Sequence, residues 1–424
     1  MTKSIPHEYF TSNTKAFHID LSSQDINYKD ILLFALEQNV DKELIVIRGK
    51  YHWIPIYKKI NLLDIKNKVN SLETKDSIFV ITGGLGAIGY AYASYLVKKH
   101  VQCTLILLGR TIESNLRKDY KQKLDDLRNT EHKIIYSAID IGHVEASNKL
   151  SELLNINNIN NIDIVLHTAV VVAQSVLNDK NKIHIEQVLN PKIAGIENLI
   201  KLAKSVPIKK LVNCSSLTSI MPSLGNTEYT AANLYLDEIS YRSHINIDSM
   251  LTININQISD AGAAIEFIKN STTKSGKTSN SIRSHEFPII LENLLSNKNL
   301  KNICLSRYDI KVGFLNHFKL LDIQNQKKVC ARDIKLIEED FSEIEYKIAK
   351  IFGDVLGVQE ISIQDDFFKI GGNSISAIKV SHQMSQVFEC DVWVSDLFKY
   401  KTIKNLKEIL SFNTINVKGE DWEI

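Results

Sequence analysis

The sequence predicts an α/β chain: a doubly wound parallel sheet, preceded by a short N-terminal structural subdomain and followed by a small four-helix domain. Three observations carry this expectation. From about residue 77 to 255, short β-branched runs alternate with helical patterns, and such alternation makes a parallel sheet. The first run, SIFVIT over Ser77–Thr82, passes through a glycine-rich turn directly into a helix. After residue 340 amphipathic helical patterns take over.

Composition narrows the class. A chain of 424 residues has room for two or three domains. With 44% hydrophobic and 24% charged residues it has the composition of a globular protein with an ample core. A net charge of +2 makes no case for nucleic acid or a membrane surface as partner. No apolar run approaches a membrane span, and Met1 to His18 lacks the apolar centre of a signal peptide. Cys103, Cys214, Cys304, Cys330 and Cys390 are scattered without paired spacing. They read as reduced thiols of a cytoplasmic protein, with no metal site or disulfide framework.

Residues 1–70 are expected to form the structural subdomain. Phe17 to Leu21 and Leu44 to Arg48 read as strands around a helix over Tyr28 to Gln38, and Val46 to Ile60 is strand-like with a turn at Arg48 and Gly49. His52 and Trp53 read as packed surface residues. Asn61 to Lys75 is polar and reads as a linker.

Residues 71–320 are expected to hold the sheet. The strands are Ser77 to Thr82, Thr104 to Leu108, Lys133 to Ala138, Ile162 to Leu166, Ile208 to Asn213 and Met250 to Ile255. Helical patterns cover Tyr90 to His100, Val144 to Leu154, Ile183 to Val206 and Ala231 to Ile245. Between the first strand and helix run Thr82, Gly83, Gly84, Leu85, Gly86, Ile88 and Gly89, with glycines in G-x-G-x-x-G order from Gly84. Glycines there permit a tight turn and bring backbone N–H groups close to a pyrophosphate. Arg110 follows the second strand, where an acid would mark a preference for a free ribose 2'-hydroxyl. A guanidinium suits a 2'-phosphate instead, so NADPH is the expected cofactor. Asp140 and Ile141 end the third strand, beside the expected adenine, and His167, Thr168 and Ala169 end the fourth.

The strand ends carry residues that would suit a reductive chemistry. Ser216 follows the fifth strand, Tyr229 comes 13 residues later, and Asn233 lies at i+4 from Tyr229 on the same helix face. Reduction of a carbonyl by hydride needs a proton donor for the developing alkoxide, which a tyrosine can be when its acidity is tuned. A serine hydroxyl can hold the carbonyl oxygen.

The last third has a different signature. Residues 321–338 read as a linker, 339–412 as a helical domain and 413–424 as a tail. Ile344 to Leu356 is one amphipathic helix, and Val392 to Ile409 reads as a short helix, a turn and another helix. Between them, Gly371 and Gly372 turn the chain just before Ser374, at a helix start backed by Ile375 and Ile378. From Phe341 onward 9 basic residues face 13 acidic ones, a net of −4, which suits docking to basic patches on partner enzymes.

This region resembles an acyl or peptidyl carrier domain, through Leu356 and Gly357, Asp366 to Phe368, Gly371 to Ser374 and Asp396 to Phe398. The resemblance implies a 4'-phosphopantetheine arm on Ser374, placed there by a phosphopantetheinyl transferase, with an acyl group carried as a thioester. Residues of about 40 to 312 resemble the Rossmann-type ketoreductase domain of modular polyketide and mixed peptide–polyketide synthases, a branch of the short-chain dehydrogenase/reductase family. The matching pieces are Arg48 and Gly49 with Trp53, the TGGLGAIG loop, Leu107 to Arg110, Asp140, His167 to Ala169, Leu189 to Gly195, Ser215 and Ser216, and Tyr229 to Asn233. In that branch the lysine precedes the serine, which assigns it to Lys192. The resemblance thus implies a catalytic set of Lys192, Ser216, Tyr229 and Asn233. It also implies that residues 1–70 are only the last part of a longer subdomain, and that Ala261 to Arg283 form a lid. Four segments depart from the family: Val170 for a glycine, Val172 to Gln174 for Leu-Asp-Asp, Met221 for a tryptophan, and Asn256 with Gln257 for Trp-Gly. They leave open the hydroxyl configuration and the choice of a 2-oxo or 3-oxo substrate.

The expected function is NADPH-dependent reduction of a ketoacyl thioester carried on Ser374, among neighbouring synthase domains. Two alternatives stand beside it: a redox-inactive scaffold presenting the carrier, and a fatty-acid-type 3-oxoacyl reductase.

Overall fold

A computed structural model describes residues 18–21, 44–48, 51–53, 56–60, 76–99, 102–172, 180–222, 225–256, 258, 260, 281–297, 299–307, 309–310, 334–338, 340–372, 374–390 and 392–416. The expected helix over Tyr28 to Gln38, the linker at 61–75, nearly all of the lid and the end of the tail lie outside these residues. Near the N-terminus, β1 (His18–Leu21), β2 (Leu44–Arg48) and β3 (Tyr51–Trp53) form a sheet in which β1 runs parallel to β2 and β3 antiparallel to it.

Among the described residues the main sheet has seven strands: β4 (Ser77–Thr82), β5 (Cys103–Gly109), β6 (Lys133–Ala138), β7 (Ile162–His167), β8 (Ile208–Ser216), β9 (Ile247–Ile255) and β10 (Asn302–Leu305). Their order is β10-β9-β8-β7-β4-β5-β6, and every pairing is parallel. Side chains alternate between the faces as the pleat requires. Phe79, Ile81, Leu105 and Leu107 enter one core, which α1 (Ala87–Lys99), α2 (Lys118–Arg128) and α7 (Glu286–Leu295) cover. Val80, Ile106 and Leu108 enter the other, beneath α3 (Ala146–Ile156), α5 (Ile193–Ala203) and α6 (Thr227–Ile239). The chain winds outward in both directions from β4 and β7, so a crevice opens at their carboxyl ends.

Two departures from the expected elements matter for function. The pattern over Ile183 to Val206 predicts one helix; the structure has two, α4 (Lys182–Leu189) and α5. Pro191 has no N–H to donate, and the next donor, Lys192 N, reaches Leu189 O instead of the i−4 carbonyl. Lys192 becomes the N-cap of α5. The helix expected over Ala231 to Ile245 starts earlier, at Thr227, and ends at Ile239, so Tyr229 sits in its first turn.

The C-terminal region contains α8 (Glu343–Leu356), α9 (Ser374–Phe388), α10 (Val394–Tyr400) and α11 (Ile403–Asn416). Ser342 and Glu345 close a capping box at the start of α8, satisfying two otherwise unpaired donors. Phe352, Phe367, Val380, Leu397 and Leu406 form the core between the helices. Ile334 and Leu336, in the stretch expected to be linker, are buried in this core, and β11 (Lys335–Leu336) pairs with β12 (Glu360–Ile361). Among the described residues no helix is long and apolar enough to cross a membrane.

Candidate active site

The crevice is a cleft of about 1440 Å³. Thr82, Gly83, Leu85, Gly86, Ile88, Arg110, Asp140, Ile141, Thr168, Ala169, Lys192, Ser216 and Tyr229 all line it. Residues separated by up to 147 positions in sequence therefore meet at the carboxyl ends of β4, β5, β7 and β8.

Gly84, Gly89, His167 and Asn233, also expected at the site, lie beneath this surface. A Cβ on Gly84 would come within 2.8 Å of Leu107 Cβ, so its role is close packing of the turn on β5. A Cβ on Gly89 would stand 2.5 Å from Gly83 O, and this contact lets α1 start directly under the loop. Above it, Gly83 takes a positive φ of 65°.

His167 is 1% exposed. Thr82 Oγ1 accepts from the N–H groups of Thr168 and Ala169, each at 3.1 Å, which leaves the threonine proton for His167 Nδ1 at 2.8 Å. The ring proton then sits on Nε2, and His167 braces β4 to β7 beneath the cleft. Burial first, then the Lys192 charge, push its pKa down to about 3, so the ring is neutral.

Lys192 is 3% exposed, and its Nζ donates to Cys214 O at 2.6 Å. The same ammonium lies 5.7 Å from the centre of the Tyr229 ring. Burial pulls its pKa down to about 8, although the Asp237 carboxylate works against that. Burial raises the Tyr229 pKa, while hydrogen bonds from Ser216 and Asn233 pull the other way. The amide of Asn233, wholly buried, donates to Tyr229 O at 2.7 Å and so ties down the backbone that carries the phenol. Val170, Val172 and Asn256, among the positions that depart from the family, also line the cleft, as does Val171.

Several participants escaped the sequence reading. Lys123 on α2 lines the cleft, half-buried, with its Nζ 3.2 Å from Leu85 O and over the rings of Tyr90 and Tyr120. Its helix was not anticipated at all. Asn254 donates to Ser219 Oγ at 2.6 Å and to Asp237 Oδ2 at 2.7 Å, a buried network behind Ser216. Asp237 falls at i+4 from Asn233 and i+8 from Tyr229, a helical spacing that could have flagged it. On the carrier side, Ser374 is the first residue of α9. Gly371 has a φ of 112°, and a Cβ on Gly372 would collide with the Phe367 ring, so both glycines are dictated by the approach to the serine.

A doubly wound sheet with a glycine-rich first turn and a large crevice at its switch point is a Rossmann-like fold, and here a buried lysine stands beside a tyrosine in that crevice. Comparison with known families is more specific: residues 77–260 match the model of the KR domain, and residues 347–410 match that of the phosphopantetheine attachment site. The chain is 28% identical over 191 residues to polyketide synthase PksN of Bacillus subtilis (strain 168), which covers 44% of this chain and 3% of that protein. It is 41% identical over 70 residues to tyrocidine synthase 3 of Brevibacillus parabrevis, covering 16% of this chain and 1% of that one. It thus spans a few per cent of these relatives' length. An N-terminal ketoreductase from the macrolactin assembly line has the same fold, with a TM-score of 0.57 at 21% identity, over 74% of this chain and 60% of that structure.

Proposed function

We propose that the chain reduces a ketoacyl thioester to a hydroxyacyl thioester, with NADPH as reductant and the substrate carried on a 4'-phosphopantetheine arm at Ser374. The convergence of Lys192, Ser216 and Tyr229 in one cleft with the glycine loop carries this reading, together with a carrier domain on the same chain. The cleft fits a dinucleotide: Gly83 and Gly86, without side chains, form part of its floor, and Arg110 lines it just beyond β5. Gly83 to Gly86 would receive the pyrophosphate, Asp140 and Ile141 the adenine, and Arg110 the 2'-phosphate.

When bound, the reduced nicotinamide supplies the hydride. Ser216 donates a hydrogen bond to the substrate carbonyl oxygen and fixes it beside Tyr229. As that oxygen gains negative charge, Tyr229, held neutral at pH 7 by burial, gives it the phenolic proton. Lys192 is mainly charged at pH 7 and stabilises the phenolate left behind. A solvent proton then restores the phenol, so one ketone, one hydride and one proton yield one alcohol. Asn233 keeps Tyr229 in place through the backbone bond. The cytoplasm, and neighbouring synthase domains as suppliers of the acyl group, fit this reading.

Intact-mass measurement tests it. The chain is treated with coenzyme A and a phosphopantetheinyl transferase, then with 2-oxoacyl- or 3-oxoacyl-loaded arms plus NADPH. A pantetheine gain followed by the mass of two hydrogens is the expected result, and the acyl group that responds defines the substrate class. Pantetheine gain with neither acyl group reduced leaves the reading of a redox-inactive scaffold, and no gain at all overturns the carrier assignment.

A further inference from the structure

Two charges are buried beside the proposed proton donor. The side chains of Lys180 and Glu228 are each 3% exposed, and Lys180 Nζ donates to Glu228 Oε2. The same ammonium donates to Gly225 O at 3.2 Å. Neither residue lines the cleft. Glu228 lies in the first turn of α6, directly before Tyr229, and Gly225 is the left-handed residue, with φ of 75°, that leads into that helix. On the other side, Lys180 precedes Asn181, whose side chain caps α4 by accepting from His184 N at 2.9 Å. The lysine therefore joins the start of α4 to two points at the start of α6.

A buried ion pair is a poor device for stability, because removing both charges from water offsets most of their attraction. What it does supply is a fixed geometry, since each charge has one acceptable place. We propose that Lys180 and Glu228 are positioning residues for Tyr229: the pair sets the depth and rotation of the first turn of α6, and with it the phenol's place against Ser216. This inference rests on the reductase reading above. Two ties then hold Tyr229, with Asn233 pulling its carbonyl from one turn beyond and the ion pair holding its neighbour from below.

The test uses the full chain with three variants: Lys180→Met, Glu228→Gln and the double variant. Each single variant should lower kcat at least about tenfold while the KM for NADPH stays within about twofold, since the glycine loop is untouched. The double variant should be no worse than the worse single one, because it leaves no unpaired buried charge. Amide exchange gives a readout independent of activity. Exchange should quicken over Thr227 to Asn233 in the single variants and stay unchanged over Ser77 to Lys99. Losses below about twofold, losses that add in the double variant, or exchange that is unchanged at Tyr229 or raised everywhere would overturn the proposal. Glu228→Gln is nearly isosteric and keeps the test open if Lys180→Met does not fold. Should the wild-type chain reduce no ketoacyl arm, the reductase reading fails, while the exchange pattern still decides whether the pair holds α6.

Discussion

The cleft at the switch point and the start of α9 place their candidate residues in two different ways. In the cleft, surroundings do the work. Lys192 is an ordinary lysine until burial takes its pKa down to about 8, and Tyr229 lies beside it only because β8, α5 and α6 converge there. At Ser374 no such convergence is involved, because two glycines lead directly to the start of α9. The first site depends on the whole sheet and the second on a few consecutive residues. Damage should therefore spread differently in the two halves.

The largest expected effect is Ser374→Ala, which should abolish the mass gain on pantetheinylation while reduction of a soluble ketoacyl thioester by the same chain proceeds at the wild-type rate. Loss of both activities would break the contrast and make the halves one functional unit. Next is Tyr229→Phe. It should lower kcat by a factor of about 10² to 10⁴, the usual worth of a positioned acid, with pantetheinylation intact and cofactor binding followed by fluorescence unchanged. A turnover within about threefold of wild type would remove Tyr229 from the chemistry.

A third prediction concerns acid. The His167 pKa is about 3 in the folded chain and about 6.5 when unfolded, so between these values only the unfolded state takes up the proton. Stability from this residue is complete above pH 6.5 and is lost as pH falls, by about 2 kcal/mol at pH 5. Thermal melting should show the reductase transition moving down between pH 7 and 5. The carrier transition should move less, since among the described residues that half buries no histidine. Equal shifts would erase the distinction. The smallest effect is expected at Arg110, where Arg110→Gln should raise the KM for NADPH about tenfold and leave that for NADH nearly unchanged, as loss of a bond to a charged group would do. Steady-state kinetics with both cofactors decides it.

Much of the fold could be read from local pattern. Two strands, Ser77–Thr82 and Lys133–Ala138, have the bounds their apolar runs suggest. β10 was missed because four half-buried residues at a sheet edge carry too little alternation. α2 was missed because its face is mostly charged and only Leu124 and Leu127 are buried. The glycine loop, Arg110, Lys192, Ser216 and Tyr229 were legible as residues that line one cleft. Depth was not legible. That His167 and Gly84 support the site from beneath follows from packing against Thr82 and Leu107, which no spacing reveals. The Lys180–Glu228 pair was hidden for the same reason, since a lysine and a glutamate 48 residues apart look like two surface charges.

The interruption at Pro191 bears on how such a chain can lose its chemistry. The position of Lys192 follows from a helix that stops and restarts. A helix advances by about 100° per residue, so a continuous α4–α5 would turn the ammonium away from the Tyr229 ring after a single change of phase. The sheet, the glycine loop and every residue of the proposed catalytic set would remain. A lineage that lost one proline could thus keep the whole inventory of a reductase and none of its activity, and still offer Ser374 to its partners as before.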